Sequence, residues 1–302
     1  MNSNPRRTFL KNTLAIAGLS MLETSFDFKK VKPLLSFSTL GCPNWSFDTI
    51  LKYAVENAYD GIEIRGIQKQ LDLTKCSEFS SQNIQETKRK VVDSKLKIVD
   101  LGSSAELHHA DLSKRKAQLD EAKRFVDLAA KLDCPFIRVF PNDLPKDQKD
   151  DETIDLIIKG LLELGDYAKG SSVSVLLESH GKVIQADTLL KIMKASEHPN
   201  VGMVWDIFNM WSVTKESPTF VYQKLHQYIR HTHIKDANLV NGKEEYVLLG
   251  RGETPIAEAI KVLSKGGYKG YYSFEWEKLW HPEIQEPEIA IPDFPHAIKK
   301  YF

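Results

Sequence analysis

The sequence predicts a single closed α/β barrel of the (β/α)8 type, and three observations support this fold class. Short β-rich runs alternate with longer helical patterns after residue 33, and eight of each can be counted. Eight such units in about 270 residues fit a closed parallel barrel, whose usual length is about 250 residues. The first predicted strand leads into "STLGCPNW", which lacks the spaced glycines of a dinucleotide-binding turn. An open dinucleotide-binding sheet is therefore disfavoured.

Each predicted strand is a short apolar run, and the predicted helices have caps or apolar stripes. Ser46 is placed to cap the first helix, "SFDTILKYAVENAY". The helix after the third strand has an apolar stripe that includes Leu119, Phe125 and Ala129. Residues 281–295, rich in proline and glutamate, are predicted as a long loop before a final helix. The predicted strands cover residues 34–40, 61–65, 96–101, 136–140, 173–179, 201–206, 229–234 and 270–275.

The composition of the 302-residue chain disfavours several classes of protein. Lysine plus arginine and aspartate plus glutamate both number 41, so the chain has no overall positive charge to attract a nucleic acid. No internal apolar run reaches the roughly 18 to 20 residues that a membrane-spanning helix needs. The 3 cysteines are widely spaced, which argues against a zinc or redox dithiol pair. We expect a small-molecule partner, no nucleic acid and no membrane association in the mature form, and a homo-oligomer is left open.

The N-terminal segment resembles a bacterial twin-arginine export signal. In "NPRRTFLKNTLAIAGLSML" the pair Arg6 and Arg7 is followed by Phe-Leu-Lys and then by small and apolar residues. A basic amphipathic helix is the alternative. The resemblance predicts a signal segment over residues 1–30, a barrel over residues 31–302, and a periplasmic or otherwise extracytoplasmic location.

Four consecutive predicted strands carry an ionisable residue at or near their ends, where the active-site face of such a barrel lies. Three carboxylates and one imidazole at one point repel one another unless a cation lies among them. An oxygen-rich set with one nitrogen suits Mn²⁺, Mg²⁺ or Co²⁺, and Zn²⁺ and Fe²⁺ are alternatives. The sequence therefore predicts a divalent-metal site, with a structural salt-bridge network as the alternative reading. The four residues, in strand order, are Glu178, Asp206, His233 and Glu275.

The segments "LLESH", "VWDIFN", "HTHIKD" and "SFEWE" resemble, in order and spacing, the sugar phosphate isomerase/epimerase group of the xylose isomerase-like TIM-barrel superfamily. The resemblance covers nearly all of the chain after the export segment. It implies that the four strand-end residues are metal ligands, and that Glu178 and Glu275 also act as the catalytic acid and base.

The segment "HTHIKD" places two histidines and a lysine on one side of a strand, because alternate residues of a strand point the same way. The resemblance makes His233 the metal ligand and His231 a supporting residue deeper in the barrel. Lys235 is then expected at the rim, where it faces the substrate or Asp236.

Other polar and aromatic residues near strand ends are candidates for substrate binding, with supporting contacts or ordinary packing as the alternatives. Asn209 lies where epimerases of this group commonly have a histidine. Because asparagine does not titrate near neutrality, this difference argues against simple ketose 3-epimerisation. Glu63 and Arg65 share one side of the second strand and are expected to form an internal ion pair. The substrate-binding candidates are His180, Asn209, Lys235, Arg138, His109, Trp45 and Arg251.

These features predict a divalent-metal-dependent sugar isomerase or epimerase. A cation that holds a sugar carbonyl and its neighbouring hydroxyl would stabilise the enediolate formed when a glutamate removes the adjacent proton. An unphosphorylated sugar or keto-sugar is expected, because export argues against a phosphorylated one. A metal-dependent lyase or dehydratase acting on a 3-keto-sugar or inosose is the alternative within this chemistry. The alternatives of other classes are an endonuclease IV-like DNA repair nuclease and a noncatalytic sugar-binding barrel.

Overall fold

All eight predicted strands are present, and they close into a parallel barrel. A computed structural model describes residues 32–302. Two further strands form a separate hairpin outside the barrel. In chain order the strands are β1 (Leu34–Ser38), β2 (Gly61–Ile64), β3 (Lys97–Glu106), β4 (Phe136–Phe140), β5 (Ser174–Glu178), β6 (Val201–Asp206), β7 (Ile229–Ile234), β8 (Asp236–Val240), β9 (Lys243–Val247) and β10 (Tyr271–Phe274).

The strands follow one another around the barrel from β1 to β7, and β10 closes the ring between β7 and β1. Every neighbouring pair in the ring is parallel, so all carboxyl ends open on the same face. In this register Asp206 on β6 lies beside His233 on β7. The arc formed by β5, β6, β7 and β10 therefore brings the four predicted ligands to one edge of the barrel.

Nine α-helices are assigned within residues 32–302, one more than the sequence predicts, because two helices lie between β6 and β7. Ser46 caps the first helix as predicted, since its side chain accepts a hydrogen bond from Thr49 N at 3.2 Å. The predicted loop over residues 281–295 is wrong in its second half, which is helical despite two internal prolines. The helices are α1 (Phe47–Glu56), α2 (Ile84–Asp93), α3 (Leu112–Lys131), α4 (Asp150–Ala168), α5 (Ala186–Ala195), α6 (Ile207–Thr214), α7 (Pro218–Leu225), α8 (Ile256–Lys265) and α9 (Pro287–Ile298).

The barrel strands are buried on both faces, as expected where helices cover a parallel sheet. On β2, Ile62 and Ile64 are fully buried, and so is Glu63 between them. Glu63 hydrogen-bonds to histidines on β7, which is not a neighbour of β2 in the ring. The Glu63 carboxylate therefore points into the barrel interior, where the polar residues of the site are found.

The hairpin of β8 and β9 follows directly after Lys235 and is absent from the sequence prediction. Its two strands are antiparallel and are joined by Asn241 and Gly242, which both have positive φ, at 52° and 75°. Asn-Gly is the usual pair for a tight hairpin turn that needs positive φ at both positions. The sequence "VNGK" thus contained the signal for this hairpin.

Residues Pro33–Phe302 form one compact unit. The predicted export segment over residues 1–30 lies outside the described residues. Within residues 32–302, no helix combines the length and the hydropathy that a bilayer span requires.

Candidate metal centre and substrate cavity

The four predicted ligands converge at the C-terminal mouth of the barrel. The Nδ1 atom of His233 lies 3.6 Å from Glu178 Oε1, 3.8 Å from Asp206 Oδ2 and 3.2 Å from Glu275 Oε1. All four side chains are almost completely buried. Since each comes from a different strand of one arc, the fold itself collects three carboxylates around one imidazole.

These residues fit a divalent cation. Glu178 Oε2, Asp206 Oδ2 and His233 Nδ1 are buried and make no hydrogen bond of good geometry among the described residues, although Arg138 Nε and Lys235 Nζ lie 3.3 Å and 2.8 Å from the two carboxylate oxygens. Leaving a buried polar atom unsatisfied costs about 1–3 kcal/mol. One cation would satisfy several of these atoms together, and a set of three carboxylates and one imidazole has the donor chemistry that such an ion prefers.

Asp206 uses its two carboxylate oxygens for different contacts. Oδ1 accepts a hydrogen bond from Asn209 N at 2.8 Å and so caps the first turn of α6. Oδ2 faces the cluster and lies 2.8 Å from Lys235 Nζ. The Ser179 hydroxyl fixes the same strand end, because it accepts a hydrogen bond from Asp206 N at 2.9 Å. The oxygen available to an ion is therefore held in place by the helix cap.

Glu63 supports His233 from below, and the predicted ion pair between Glu63 and Arg65 is wrong. The Oε2 atom of Glu63 lies 2.9 Å from His233 Nε2, 2.9 Å from His231 Nε2 and 3.2 Å from Ser273 Oγ. An ionised carboxylate only accepts hydrogen bonds, so Nε2 of His233 carries a proton and Nδ1 is directed at the three carboxylates. A carboxylate that orients a ligating histidine is common at metal sites. The expected position of His231, deeper in the barrel, agrees with these contacts.

Arg65 instead turns toward β3. Its Nη2 donates to Ser104 Oγ at 2.9 Å, and its Nη1 lies 3.4 Å from the carbonyl oxygen of Gly102. A Cβ atom on Gly102 would lie 2.7 Å from Arg65 Cδ and 2.8 Å from Arg138 Nη2. Glycine at this position is therefore what allows two arginines to lie side by side in the mouth of the barrel.

Lys235 is buried and pairs with carboxylates of the site, whereas the sequence analysis allowed a pairing with Asp236. Its Nζ atom lies 2.6 Å from Glu275 Oε2 and 2.5 Å from Glu277 Oε1, in addition to its contact with Asp206. Asp236 points elsewhere, because its carboxylate accepts hydrogen bonds from the backbone amides of residues 250, 252 and 254. Asp236 therefore anchors the loop after the hairpin.

The surroundings separate the pKa values of the two glutamates. Burial, aided by the carboxylates of Glu178 and Asp206, raises the pKa of Glu275 to about 8 against the attraction of His233 and Lys235. Burial also opposes ionisation of Glu178, but the positive charges of Arg138 and His233 outweigh it and lower its pKa to about 2. The Arg138 Nε atom lies 3.3 Å from Glu178 Oε2. Two chemically identical groups thus differ in their tendency to hold a proton.

A cavity of about 240 Å³ opens beside these carboxylates. Four of the predicted substrate-binding residues line it, namely Arg138, His180, Asn209 and Lys235. Among the other lining residues are two of the predicted ligands, Glu178 and Glu275. The cavity therefore gives a small molecule direct access to both glutamates.

Three of the predicted substrate-binding residues do not line the cavity. Trp45 donates its indole N–H to Glu288 Oε1 at 3.0 Å and packs beside Tyr53. His109 pairs with Glu106, with 3.0 Å between Nε2 and Oε2. Arg251 is exposed in the loop after the hairpin. The structure does not bring these three side chains to the cavity, because proximity to a strand end in sequence does not determine which way the following loop turns.

Comparison with known proteins agrees with this fold. Residues 51–293 match the family described as xylose isomerase-like TIM barrel. The chain belongs to this family. It is 27% identical over 166 residues to an inosose dehydratase of Geobacillus thermodenitrificans, a match that covers 49% of this chain and 53% of that protein. It is 22% identical over 261 residues to a fructoselysine 3-epimerase of Shigella flexneri, which covers 83% of this chain and 91% of that protein.

Solved structures give the same xylose isomerase-like fold. A crystal structure of a protein called IOLI with a bound zinc atom superposes with a TM-score of 0.74 at 20% identity, covering 89% of this chain and 99% of that chain. Sequence relatives of the chain thus include an epimerase and a dehydratase. The match to the inosose dehydratase spans only about half of that protein's length.

Several residues of the cavity wall in this xylose isomerase-like barrel were not predicted as site residues from the sequence. Arg65 was assigned to an ion pair, and Glu277 and Trp280 were not considered as site residues, yet all three line the cavity. Glu277 had a detectable signal, because it follows Glu275 by two residues in "SFEWE" and so shares its side in an extended chain. Trp280 had none, since it lies in a loop with 50% of its surface exposed.

His180 is held in one orientation by a short chain of hydrogen bonds. Asn142 Nδ2 donates to Glu106 Oε1 at 2.5 Å, so the amide oxygen Oδ1 faces His180 Nδ1 at 2.7 Å. Because Oδ1 can only accept, Nδ1 of His180 must donate. Nε2 of a neutral His180 then carries the lone pair, and burial lowers the pKa of this histidine, which favours the neutral form. His180 is thus suited to accept a hydrogen bond from a hydroxyl in the cavity.

Proposed function

We propose that this protein is a divalent-metal-dependent enzyme that isomerises or epimerises an unphosphorylated sugar or keto-sugar by moving a proton next to its carbonyl. One observation carries the proposal: Glu178 and Glu275, at the two ends of the arc formed by β5, β6, β7 and β10, both face His233 and both line one cavity. Two carboxylates that reach one small molecule from different strands can act as a base and an acid on it.

The chemistry divides between the ion and the side chains. Glu178, Asp206, His233 and Glu275 would hold the ion, which would polarise the substrate carbonyl and stabilise negative charge on its oxygen. Glu178 removes the proton from the adjacent carbon, and Glu275 delivers a proton to the other face when a stereocentre is inverted. For an aldose-ketose isomerisation, a single glutamate carries the proton between neighbouring carbons.

The charge of the cavity wall supports an unphosphorylated substrate. Three cationic side chains and three glutamates line the cavity together, so a phosphate would have to compete with carboxylates for the cations. Two of the cations are already engaged, because Arg138 lies against Glu178 and Lys235 lies against Glu275 and Glu277. The predicted export segment points in the same direction, since an exported enzyme would meet sugars outside the cytoplasm. The six residues are Arg65, Arg138, Lys235, Glu178, Glu275 and Glu277.

A metal-dependent lyase or dehydratase on a 3-keto-sugar or inosose is the second candidate. His180 lines the cavity, and its Nδ1 is hydrogen-bonded to Asn142. Its Nε2 is therefore the nitrogen that is available to a substrate hydroxyl. A hydroxyl that leaves after proton removal must gain a proton as its C–O bond breaks, and Glu275, whose pKa is raised to about 8, would donate it. His180 would orient that hydroxyl by accepting a hydrogen bond at Nε2. The similarity to an inosose dehydratase favours the same candidate, as does Asn209 in place of the histidine expected in the epimerases.

The test is proton exchange in deuterated water. The full chain, loaded in turn with Mn²⁺, Mg²⁺, Co²⁺ and Zn²⁺, is incubated with hexoses, ketoses, inososes and 3-keto-glycosides, and both α-proton exchange and products are followed by NMR. Epimers or isomers would identify the first candidate, and elimination products the second. We expect Glu178→Gln and Glu275→Gln to lower the rate by about 10²–10⁴-fold, the usual contribution of acid–base catalysis.

Glu163→Gln is the matched control, because it changes a glutamate on α4 that pairs with Lys123 at the surface. It should leave the rate unchanged. Absence of exchange with every substrate and every metal would contradict the proposal. In that case nicking of abasic duplex DNA would favour a repair nuclease, and sugar binding without turnover would favour a noncatalytic barrel.

A further inference from the structure

A second group of metal-binding side chains lies where β3 continues past the barrel. Glu106 is the last residue of β3, and His108 and His109 follow it before α3 begins. The Nε2 atoms of His109 and His108 lie 3.0 Å and 3.9 Å from the same oxygen, Glu106 Oε2. None of these three residues lines the substrate cavity, and none belongs to the cluster around His233.

The carboxylate of Glu106 is oriented for this role by Asn142. The amide of Asn142 donates to Glu106 Oε1, which leaves Oε2 directed at the two imidazoles. The backbone of Asn142 is itself fixed, because its main-chain carbonyl oxygen accepts a hydrogen bond from Lys182 N at 2.8 Å. Outer contacts that fix one oxygen of a carboxylate are a regular feature of metal sites.

The contacts of His108 are unusual for a buried histidine. The residue has only 6% of its surface exposed, and its Nδ1 has no hydrogen-bond partner among residues 32–302. Its Nε2 lies 3.9 Å from Glu106 Oε2, which is too far for a hydrogen bond. Nε2 is the nitrogen that faces the carboxylate, so an ion placed between Nε2 and Glu106 Oε2 would be bound without the use of Nδ1.

The spacing of the three ligand atoms suits a small tetrahedral ion. Bonds of about 2.0–2.1 Å in tetrahedral geometry place two ligand atoms about 3.3 Å apart. The observed separations of 3.0 Å and 3.9 Å lie on either side of this value. Small rotations of the two imidazole rings, whose centroids are 4.0 Å apart, would be enough to equalise them.

We propose that Glu106, His108 and His109 form a second metal site, which binds a transition-metal ion of the Zn²⁺ class. Two imidazoles and one carboxylate make a nitrogen-rich set that selects Zn²⁺ over Mg²⁺, unlike the oxygen-rich centre around His233. Three protein ligands leave the fourth position to water. The side chains of Glu106 and His109 are 33% and 22% exposed, so an ion reaches the site from solvent.

The experiment counts and locates Zn²⁺ ions in the full-length protein. Zn²⁺ is titrated into the metal-free chain by calorimetry, and crystals grown with Zn²⁺ are examined by anomalous diffraction at the zinc edge. We expect two ions per chain, one of them between Glu106 and the two histidines. Glu106→Gln and His109→Asn should each weaken the binding of that ion at least tenfold and leave the other ion in place.

Two control variants keep the result interpretable. Asp206→Asn weakens the centre around His233 and should leave the second ion bound, so failure of the proposed function and failure of this site are distinguishable. His226→Asn changes an exposed histidine whose ring contacts Tyr222, and it should leave both ions bound. A single ion per chain, or a second ion that persists in both Glu106→Gln and His109→Asn, would overturn the proposal and leave Glu106 and His109 as an ion pair.

Discussion

The two sides of the barrel contribute differently to the candidate metal centre. The strands β5, β6, β7 and β10 each place one ionisable side chain against the common point, at or near the strand end. The strands β2, β3 and β4 also carry buried charged residues, but these lie within the strands: Glu63 and Arg138 contact the ligands His233 and Glu178, and Asp100 makes no hydrogen bond to a ligand. A charge at a strand end and a charge inside a strand therefore have different functions in one barrel.

Glu63 and Asp100 are buried acids on the supporting side of the barrel, by which we mean the strands β2, β3 and β4. They are neighbours in the register between β2 and β3, and both are completely buried. Despite its burial, the positive charge of His233 and the hydrogen bonds from the two histidines hold the pKa of Glu63 well below its ordinary value. Asp100 has no hydrogen-bond partner among the described residues, and burial together with the charge of Glu63 raises its pKa to about 8. One acid therefore supports a ligand as an anion, while its neighbour remains protonated.

Among changes outside the four ligands, the largest expected effect comes from breaking the link between the two sides. Glu63→Gln keeps the size of the side chain but removes the charge that orients His233. We expect metal affinity to fall by about 10–100-fold, as is usual when a supporting carboxylate of a metal ligand is changed. Calorimetric titration of the metal-free protein with the metal measures this affinity.

The matched control for this change is Asp100→Asn, a neutral isostere at the neighbouring buried position that makes no hydrogen bond to a ligand. It should change metal affinity by less than about threefold. Equal losses in both variants would mean that Glu63 acts only through the general charge of the interior, and the distinction between its role and that of Asp100 would fail.

The ligand side of the barrel, which consists of the strands β5, β6, β7 and β10, was predicted well from the sequence for a physical reason. A single ionisable residue at the end of an apolar run, such as Glu178 or Asp206, is costly to bury alone, so four on consecutive strands point to one shared partner. Strand periodicity also identified the common side of His231 and His233. These signals are local, and the regular geometry of a parallel barrel converts them into a spatial prediction.

The supporting side was predicted less well, because its contacts cross the barrel. Glu63 and Arg65 share one side of β2, and an ion pair between them was the simplest local explanation. The actual partner of Glu63 is on β7, about 170 residues away in the chain. The directions of Trp45, His109 and Arg251 depend on loop conformations, for which strand periodicity contains no information.

The next effect concerns pH and sharpens the contrast between Glu63 and Asp100. Asp100 keeps its proton in the native state up to a pH of about 8, whereas an aspartate in the unfolded chain loses it above about pH 4. Unfolding in this interval therefore releases a proton, and the free energy of unfolding falls as the pH rises. Asp100 lowers the free energy of unfolding by at most about 1.4 kcal/mol per pH unit in this interval.

Asp100→Asn removes this titration, so its free energy of unfolding should fall less steeply than that of the wild type between pH 5 and pH 8. Urea unfolding of the metal-free protein at several pH values measures the slopes. Asp155→Asn, at an exposed position on α4, is the control and should keep the wild-type slope. Parallel curves for Asp100→Asn and the wild type would show that Asp100 is already ionised in the native state.

The smallest effects are expected from residues near the mouth of the barrel that point away from the cavity. Arg251→Ala removes an exposed side chain in the loop after the hairpin, and Trp45→Phe removes the hydrogen bond to Glu288 and part of the packing beside Tyr53. Neither residue lines the cavity, so KM and kcat for the substrate found in the exchange experiment should stay within about twofold of the wild type.

Trp280→Ala is the contrasting variant, because Trp280 does line the cavity and offers a flat apolar surface to a sugar. Loss of such a contact is worth about 1 kcal/mol, so KM should rise about fivefold while kcat changes little. The comparison is made with steady-state kinetics on the same substrate. A larger rise in KM for Arg251→Ala than for Trp280→Ala would mean that the loop after the hairpin folds over bound substrate, and that the ligand side of the barrel extends beyond the strand ends.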